Sequence, residues 1–228
     1  MSSTVEAGQI RAELRWPAVV AVAVMLTFYL LTPESFVPKW IILAISVAMF
    51  VPLIILNPRR LTRETSWSRW ASIALALLLS VANMFDVVWI VQTLIDGSVG
   101  GVPVLMAAVQ VWVGNVVSFS LVYWELDRGG PVARRTLTRL KLPVADFKFP
   151  QDEDGQTVAE VKASSSQTAG WRPGYIDYLY MSATNTMAFS PTDVMPLSAR
   201  AKMLMLVQSV TGFVLLTLVI ARSVNILA

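Results

Sequence analysis

The chain contains no cysteine and no histidine among its 228 residues, and only 14% of the residues are charged. Disulfide bonds, thiolate nucleophiles, Cys/His zinc sites, haem ligation by His, and Ser-His-Asp or Cys-His relays are therefore excluded. The polar groups that remain for a functional site are carboxylates, hydroxyls and amides. They predict neither an enzyme nor a protein that binds a cofactor. Soluble domains carry about 25% charged residues. The low charge, with a mean hydropathy of +0.61, predicts an all-α integral membrane protein.

Five long apolar segments predict helices that cross a bilayer, since a helical crossing needs about 20 mostly apolar residues. The first is the shortest and follows Arg11 and Arg15, as in a signal peptide. No small-x-small cleavage site follows it, so we expect a retained anchor. The predicted segments are Trp16–Leu31, Trp40–Leu56, Trp70–Ile95, Val102–Trp124 and Leu197–Leu227.

The net charge of +3 reflects bases that gather in two connections, as expected for cytoplasmic loops rather than for nucleic-acid binding. The positive-inside rule therefore places the N-terminus and both connections in the cytoplasm, with the chain in the plasma (inner) membrane. The bases concerned are Arg59, Arg60, Arg63 and Arg69, and then Arg128, Arg134, Arg135, Arg139, Lys141 and Lys148.

These features divide the chain into a four-helix region (1–126), a polar cytoplasmic loop (127–174) and a C-terminal part (175–228). Within the loop, the basic stretch 131–142 predicts a short helix lying along anionic headgroups. Alternating residues at 146–149 and 157–161 permit a small hairpin. The acidic turn 152–155 between them lacks EF-hand spacing and predicts no calcium site. The Ser-rich stretch 163–170 predicts a flexible linker.

Residues 175–193 read YIDYLYMSATNTMAFSPTD and are followed by Pro196 and a long apolar helix. This region resembles the pore helix, filter and inner helix of potassium channels. The pore-helix positions match at Asp177, Leu179, Tyr180 and Ser182, and the positions from the end of the filter onward match at Asp193, Pro196, Ser198, Lys202, Gly212 and Asn225. The resemblance implies a homo-oligomeric pore, a tetramer if channel-like, for a monovalent cation. The segment also resembles a bacterial polytopic membrane-protein family of unknown function.

The filter positions depart from the potassium-channel pattern. A potassium filter lines its path with backbone carbonyls and uses glycines for backbone angles that other residues resist. Here Pro191 fixes φ and removes an N–H, so we expect a polar constriction instead of a standard filter. A non-conducting structural or accessory membrane protein is the alternative. The candidate pore residues are Thr184, Asn185, Thr186, Met187, Ala188, Phe189, Ser190, Pro191, Thr192 and Asp193.

Two topologies are compatible with this pattern. Either residues 171–190 cross the bilayer and the last helix returns as a sixth crossing, or 175–190 dips in as a pore loop. The loop charges favour about six crossings, with both termini in the cytoplasm. The intramembrane polar candidates are Asp86, Asp177 and Lys202, because charged groups within a bilayer are costly and mark functional sites. Six crossings predict an ion pair between Asp86 and Lys202.

Overall fold

The computed structural model is all-α apart from one pair of two-residue strands, and it describes residues 13–31, 39–56, 61, 65–96, 101–153, 158–187 and 193–227. The helices within those ranges are α1 (Trp16–Leu31), α2 (Lys39–Leu56), α3 (Ser66–Asp96), α4 (Gly101–Leu126), α5 (Pro131–Thr136), α6 (Ala159–Lys162), α7 (Tyr175–Met187) and α8 (Ala199–Leu227). The strands are β1 (Phe147–Lys148) and β2 (Met195–Pro196).

The five predicted apolar segments correspond to α1, α2, α3, α4 and α8. Side-chain caps explain where α3 and α8 start. Thr65 and Ser68 each accept a hydrogen bond from the other's backbone N–H, at 3.1 and 3.0 Å, so α3 begins four residues before the predicted start. Ser198 Oγ accepts the N–H of Ala201 at 3.1 Å and starts α8. Side-chain caps of this kind accept hydrogen bonds from the first N–H groups of a helix, which have no acceptor within the helix.

Three helices are long and apolar enough to cross a membrane, through their stretches Ser66–Thr93, Met106–Gly129 and Ala199–Thr217. Helices α1 and α2 are also apolar but have only 16 and 18 residues. At 1.5 Å per residue they measure about 24 and 27 Å, slightly less than a hydrocarbon core of about 30 Å. The helices thus indicate a membrane protein.

Helix α4 lies at the centre of the bundle and packs against α1, α3, α7 and α8. Of its apolar stretch 78% is buried, compared with 33% for α8. Gly114 allows the close approach of α3, because a Cβ at this position would lie 2.4 Å from Nδ2 of Asn83. That amide nitrogen donates to the Val111 carbonyl at 2.9 Å.

One end of the bundle collects the basic side chains, and we call it the basic end. Arg15, just before α1, donates to the carbonyl of Leu53 near the end of α2. Arg69, near the start of α3, donates to the carbonyl of Gly129 just after α4. The starts of α1 and α3 and the ends of α2 and α4 therefore meet here, as predicted from the two basic connections.

Residues 127–153 and 158–173 fold against the basic end as a cap. Strand β1 pairs antiparallel with β2, with Phe147 opposite Pro196 and Lys148 opposite Met195. The predicted hairpin is therefore wrong, because β1 pairs with a segment about 50 residues away and the chain forms α6 where the second strand was expected. Long-range pairing of this kind leaves no trace in a local alternation pattern.

Two other predictions for the cap are wrong. The stretch 131–142 is not one continuous surface helix: it forms α5 and then a short 3-10 turn at Arg139–Lys141, and residues 131–134 are buried under protein. The predicted linker is packed as well. Ser166 is buried, donates to Oδ1 of Asp152 at 2.8 Å through its hydroxyl and donates to the Gln151 carbonyl at 2.8 Å through its N–H.

Helices α7 and α8 are parallel and start at the same end of the bundle. Ser182 of α7 is level with Gln208 of α8, and Thr186 is level with Gly212, a constant offset of 26 residues. After α7 ends at Met187, the chain is back at the basic end by Met195, where β2 pairs with β1. Helix α7 thus enters the bundle from the basic end, and α8 then traverses the bundle from the same end.

This arrangement does not confirm six crossings. A fifth and a sixth crossing in succession would be antiparallel, whereas α7 and α8 run the same way. Helix α8 also ends far from the basic end, since its residue Leu215 packs with Ile90 of α3 and Ala107 of α4. The predicted location of both termini on one side does not fit this packing.

Candidate functional site

Helix α7 buries one face along its length, because its buried residues follow helical spacing. They are Tyr175, Tyr178, Met181, Ser182, Asn185 and Thr186. Asp177 lies in the first turn, where its Oδ2 accepts the N–H of Gly174 at 2.7 Å. This carboxylate therefore helps to start the helix at the basic end, and it does not lie deep in the bundle as predicted.

A buried polar network, which we call the glutamine hub, joins α4, α7 and α8. Gln208 has no exposed surface. Its Nε2 donates to Oγ of Ser182 at 2.6 Å and to Oγ1 of Thr186 at 3.0 Å. Its Oε1 accepts from Tyr123 Oη at 2.7 Å and from Asn185 Nδ2 at 2.9 Å. Every donor and acceptor of this amide is used, as an apolar interior requires.

The hub extends along α8 through two further contacts with α7. Ser209 Oγ donates to Oδ1 of Asn185 at 3.0 Å. At Gly212 a Cβ would lie 2.5 Å from Cγ2 of Thr186 and 3.1 Å from its carbonyl oxygen. Gly212 therefore lets α7 and α8 approach closely at this level.

The structure places the described residues of the predicted pore in different parts of the bundle. Asn185 and Thr186 belong to the glutamine hub, while Thr184 bonds within α7, to the carbonyl of Tyr180 at 2.9 Å. Met187 is 61% exposed at the end of α7, and Asp193 is exposed at the basic end. Residues 188–192 lie outside the described ranges.

The C-terminal end of α7 borders an apolar groove of about 260 Å³. Its walls come from α4, α7 and α8 through Ala108, Val109, Trp112, Thr186, Met187, Leu215, Leu216 and Val219. Thr186 is near Asn115, 11 residues before the end of α4. At 1.5 Å per residue this level is about 17 Å from the basic end, a little over half the thickness of a hydrocarbon core of about 30 Å.

At the other end of α7, a cluster of charges fixes the helix to the cap. Tyr178, which is fully buried, donates to Oδ2 of Asp127. The other carboxylate oxygen of Asp127 accepts the N–H of Asp146 at 2.7 Å. Arg134 lies 4.9 Å from the ring centre of Tyr178 and donates to the carbonyls of Trp124 and Asp127 at 2.8 and 2.7 Å.

Glu13, before α1, reaches the same region. Its Oε1 accepts from Trp124 Nε1 at 3.1 Å and from the N–H of Tyr175 at 2.5 Å. Burial raises the pKa of the Glu13 carboxyl and outweighs the lowering effect of Arg134. This side chain ties the start of α1 to α4 and to the first residue of α7. Trp124 is itself buried here.

Asp86 and Lys202 do not form the predicted ion pair. Lys202 is exposed in the first turn of α8, near the basic end. Asp86 is buried and borders a cavity of about 10 Å³ with Tyr29, Asn83, Gln110 and Gly114. The next residue of α3, Val87, lies in one cluster with Leu215, about 20 Å along α8 from Lys202. The prediction was wrong because it required α8 to start at the other end.

Comparison with known proteins adds no family: no family model, curated protein or solved structure matches this chain. The resemblance to potassium channels therefore stays a prediction that depends on the residues quoted above.

Tyr123, Ser182 and Gln208 are distant from one another along the chain, and the sequence analysis did not predict this network. One signal was available. Ser182 and Thr186 are four residues apart, as are Gln208 and Gly212, so each pair lies on one helix face. Two such faces with small and polar residues favour a close, hydrogen-bonded helix pair.

Proposed function

We propose that this protein crosses the membrane five times, through α1, α2, α3, α4 and α8, with α7 as a re-entrant half-helix entering from the cytoplasm. Several copies would then surround an axis and form a channel-like pore for monovalent cations. The observation that carries the proposal is the parallel pair α7 and α8. A pore loop consists of a short helix that enters the membrane, a segment that returns to the same side and a helix that crosses, and α7 and α8 would be the first and last of these parts. The cytoplasmic start follows from the bases at the basic end.

The position of the end of α7 supports a polar path. A helix leaves its last four carbonyls without helical partners, and in hydrocarbon each unsatisfied group costs several kcal/mol. Irregular backbone at that depth is tolerated only where protein buries it or water reaches it. The C-terminal end of a helix also carries partial negative charge, which favours a cation.

A single copy encloses no conduit, so conduction requires several copies around an axis. The resemblance to potassium channels implies four. Native mass spectrometry of the purified protein would measure the number, and a monomer as the sole species would contradict the pore.

A non-conducting structural or accessory protein is the second candidate. It is favoured by the glutamine hub, which satisfies Asn185, Thr186 and Gln208 within one chain and directs these polar groups inward. In this function α7 would pack between α4 and α8 and fix their relative position.

The absence of cysteine allows a direct test. In liposomes we expect the Met187→Cys variant to conduct K⁺ and to lose most of its flux on treatment with a positively charged methanethiosulfonate. The control is Met195→Cys, since Met195 is similarly exposed, 56% against 61%, but lies at the basic end. K⁺ flux no greater than that of empty liposomes would support the accessory function. Flux that persists after complete modification of residue 187 would reject the assigned path.

A further inference from the structure

A second cavity, of about 60 Å³, lies at the basic end between α1, α2, α3 and α4 under α5. We call it the arginine pocket. Its polar wall consists of Arg15, Ser68, Arg69, Ser72 and Glu125, and its apolar wall includes Val19, Val22, Phe50, Leu53 and Leu75. Arg69, Ser72, Val19 and Phe50 are only partly buried, so the pocket opens to the surroundings of the protein.

The charges of the pocket favour an anion. Two guanidinium groups face one carboxylate, that of Glu125, among the described residues that line it. Arg15 is only 7% exposed and its charge interacts with that of Glu125, but in the described part of the chain its guanidinium has one hydrogen-bond acceptor, the Leu53 carbonyl. A guanidinium offers five N–H donors, and a buried charge is costly unless it is paired. Phosphate matches the fork of an arginine in geometry and charge.

The tryptophans beside the pocket give its level in the membrane. Trp16 and Trp70 directly follow Arg15 and Arg69 in the chain and are 56% and 69% exposed. Exposed tryptophans at helix ends are typical of the membrane–water interface. The two arginines therefore lie at the level of the lipid headgroups, and Val22 and Leu75, about two turns further along their helices, lie at the level of the acyl chains.

We propose that the arginine pocket binds the phosphate of an anionic phospholipid from the cytoplasmic leaflet. Arg15 and Arg69 provide the charge, Ser72 provides a hydroxyl donor, and the apolar wall receives the start of an acyl chain. The apolar wall favours a lipid over free phosphate, since a soluble anion gains nothing from it. This assignment requires the membrane position of the helices but does not require conduction.

The test is native mass spectrometry and thermal unfolding of the detergent-purified protein with added phosphatidylglycerol, phosphatidylcholine or inorganic phosphate. We expect one retained phosphatidylglycerol per chain and a higher Tm with that lipid only. In Arg69→Gln we expect phosphatidylglycerol affinity to fall about fivefold, as for the loss of one base at an anionic surface. Lys141→Gln is the matched control, because it removes one exposed positive charge at the same end outside the pocket.

A second variant, Ser72→Trp, fills the pocket from a partly exposed position and leaves the net charge unchanged. Loss of the retained lipid in this variant would support the pocket as the site. Equal stabilisation by phosphatidylcholine, full competition by millimolar inorganic phosphate, or unchanged lipid binding in both Arg69→Gln and Ser72→Trp would each overturn the proposal.

Discussion

At the scale of single residues, buried polar side chains of this protein join helices to one another through hydrogen bonds. Gln208 uses its amide to join three helices, Asp127 joins the end of α4 to Tyr178 and the cap, and Glu13 ties the start of α1 to α7. In an apolar interior each of these groups needs partners, because an unpaired buried polar group costs about 1–3 kcal/mol. These hydrogen bonds fix the position of α7 along its neighbouring helices, which apolar contacts alone would not define.

Replacing Gln208 by Leu is expected to destabilise the protein by about 2–4 kcal/mol, since Tyr123, Ser182, Asn185 and Thr186 each lose a partner. The measurement is unfolding in detergent, by heat or by added denaturing surfactant. Gln92→Leu on the exposed side of α3 is the control and is expected to change little. Equal unfolding curves for the two variants would show that the hub does not hold α7.

The pair of Asp152 and Arg128 in the cap predicts a pH dependence. Burial raises the pKa of the Asp152 carboxyl, but the hydrogen bond and charge of Arg128 lower it more, and the pKa falls below its ordinary value of 3.8. A carboxyl whose folded-state pKa is depressed contributes stability above its unfolded pKa and loses that contribution as the pH falls through the folded value.

We therefore expect Asp152→Asn to lower the free energy of unfolding by about 1–2 kcal/mol at pH 7. The difference from the unmodified protein should shrink as the pH falls below 3.8. Thermal unfolding measured from pH 3 to pH 8 tests this expectation. A difference that stays constant over the whole range would mean that the ion pair contributes nothing.

At the scale of elements, the decisive contact is the one between α7 and α8. These helices touch through Gly212 and Thr186, where there is no room for a Cβ. Small residues at such points let helix backbones approach closely, so that dispersion and hydrogen bonds can hold them together in an apolar surrounding. The same contact fixes the depth at which α7 ends.

Gly212→Ala is expected to cost about 1–3 kcal/mol, because the new methyl group must displace Thr186. Thr186→Ser removes Cγ2 and keeps the hydroxyl that bonds Gln208. In this background the cost of Gly212→Ala should fall, which a double-mutant cycle in detergent measures. If the cost were the same in both backgrounds, the close contact would not be the cause.

Element boundaries were largely predictable from the sequence, while the partners of elements were not. The five apolar segments followed from hydropathy alone, because each covers enough residues to be recognised locally. Strand β1 pairs with β2 across about 50 residues, and residues 163–170 pack because Asp152 holds Ser166. Such contacts depend on chain segments that are distant in sequence.

At the scale of the whole molecule, the parallel course of α7 and α8 gives the chain an odd number of traverses. The basic end and the end of α8 then lie on opposite sides of the bundle. This separates the re-entrant topology from the six-crossing topology by a simple measurement, since six crossings would return the end of α8 to the basic side.

Single cysteines introduced into the cysteine-free chain should report this topology. In intact cells we expect Leu140→Cys, at a fully exposed site in the cap, to resist a membrane-impermeant maleimide. Asp96→Cys at the end of α3 and Asn225→Cys near the end of α8 should both react. Protection of Asn225→Cys together with Leu140→Cys would restore six crossings.

The sequence by itself determined that the protein is helical, apolar and basic at one end, because hydropathy and charge are local properties that survive without knowledge of contacts. It also singled out the half-polar segment 175–193 and the small residues around it. The tertiary structure decided that α7 and α8 run parallel from the basic end, that Asp86 and Lys202 are apart, and that a pocket forms between Arg15 and Arg69. These features depend on which helices pack side by side and in which direction, and a period of 3.6 residues is the same in either direction.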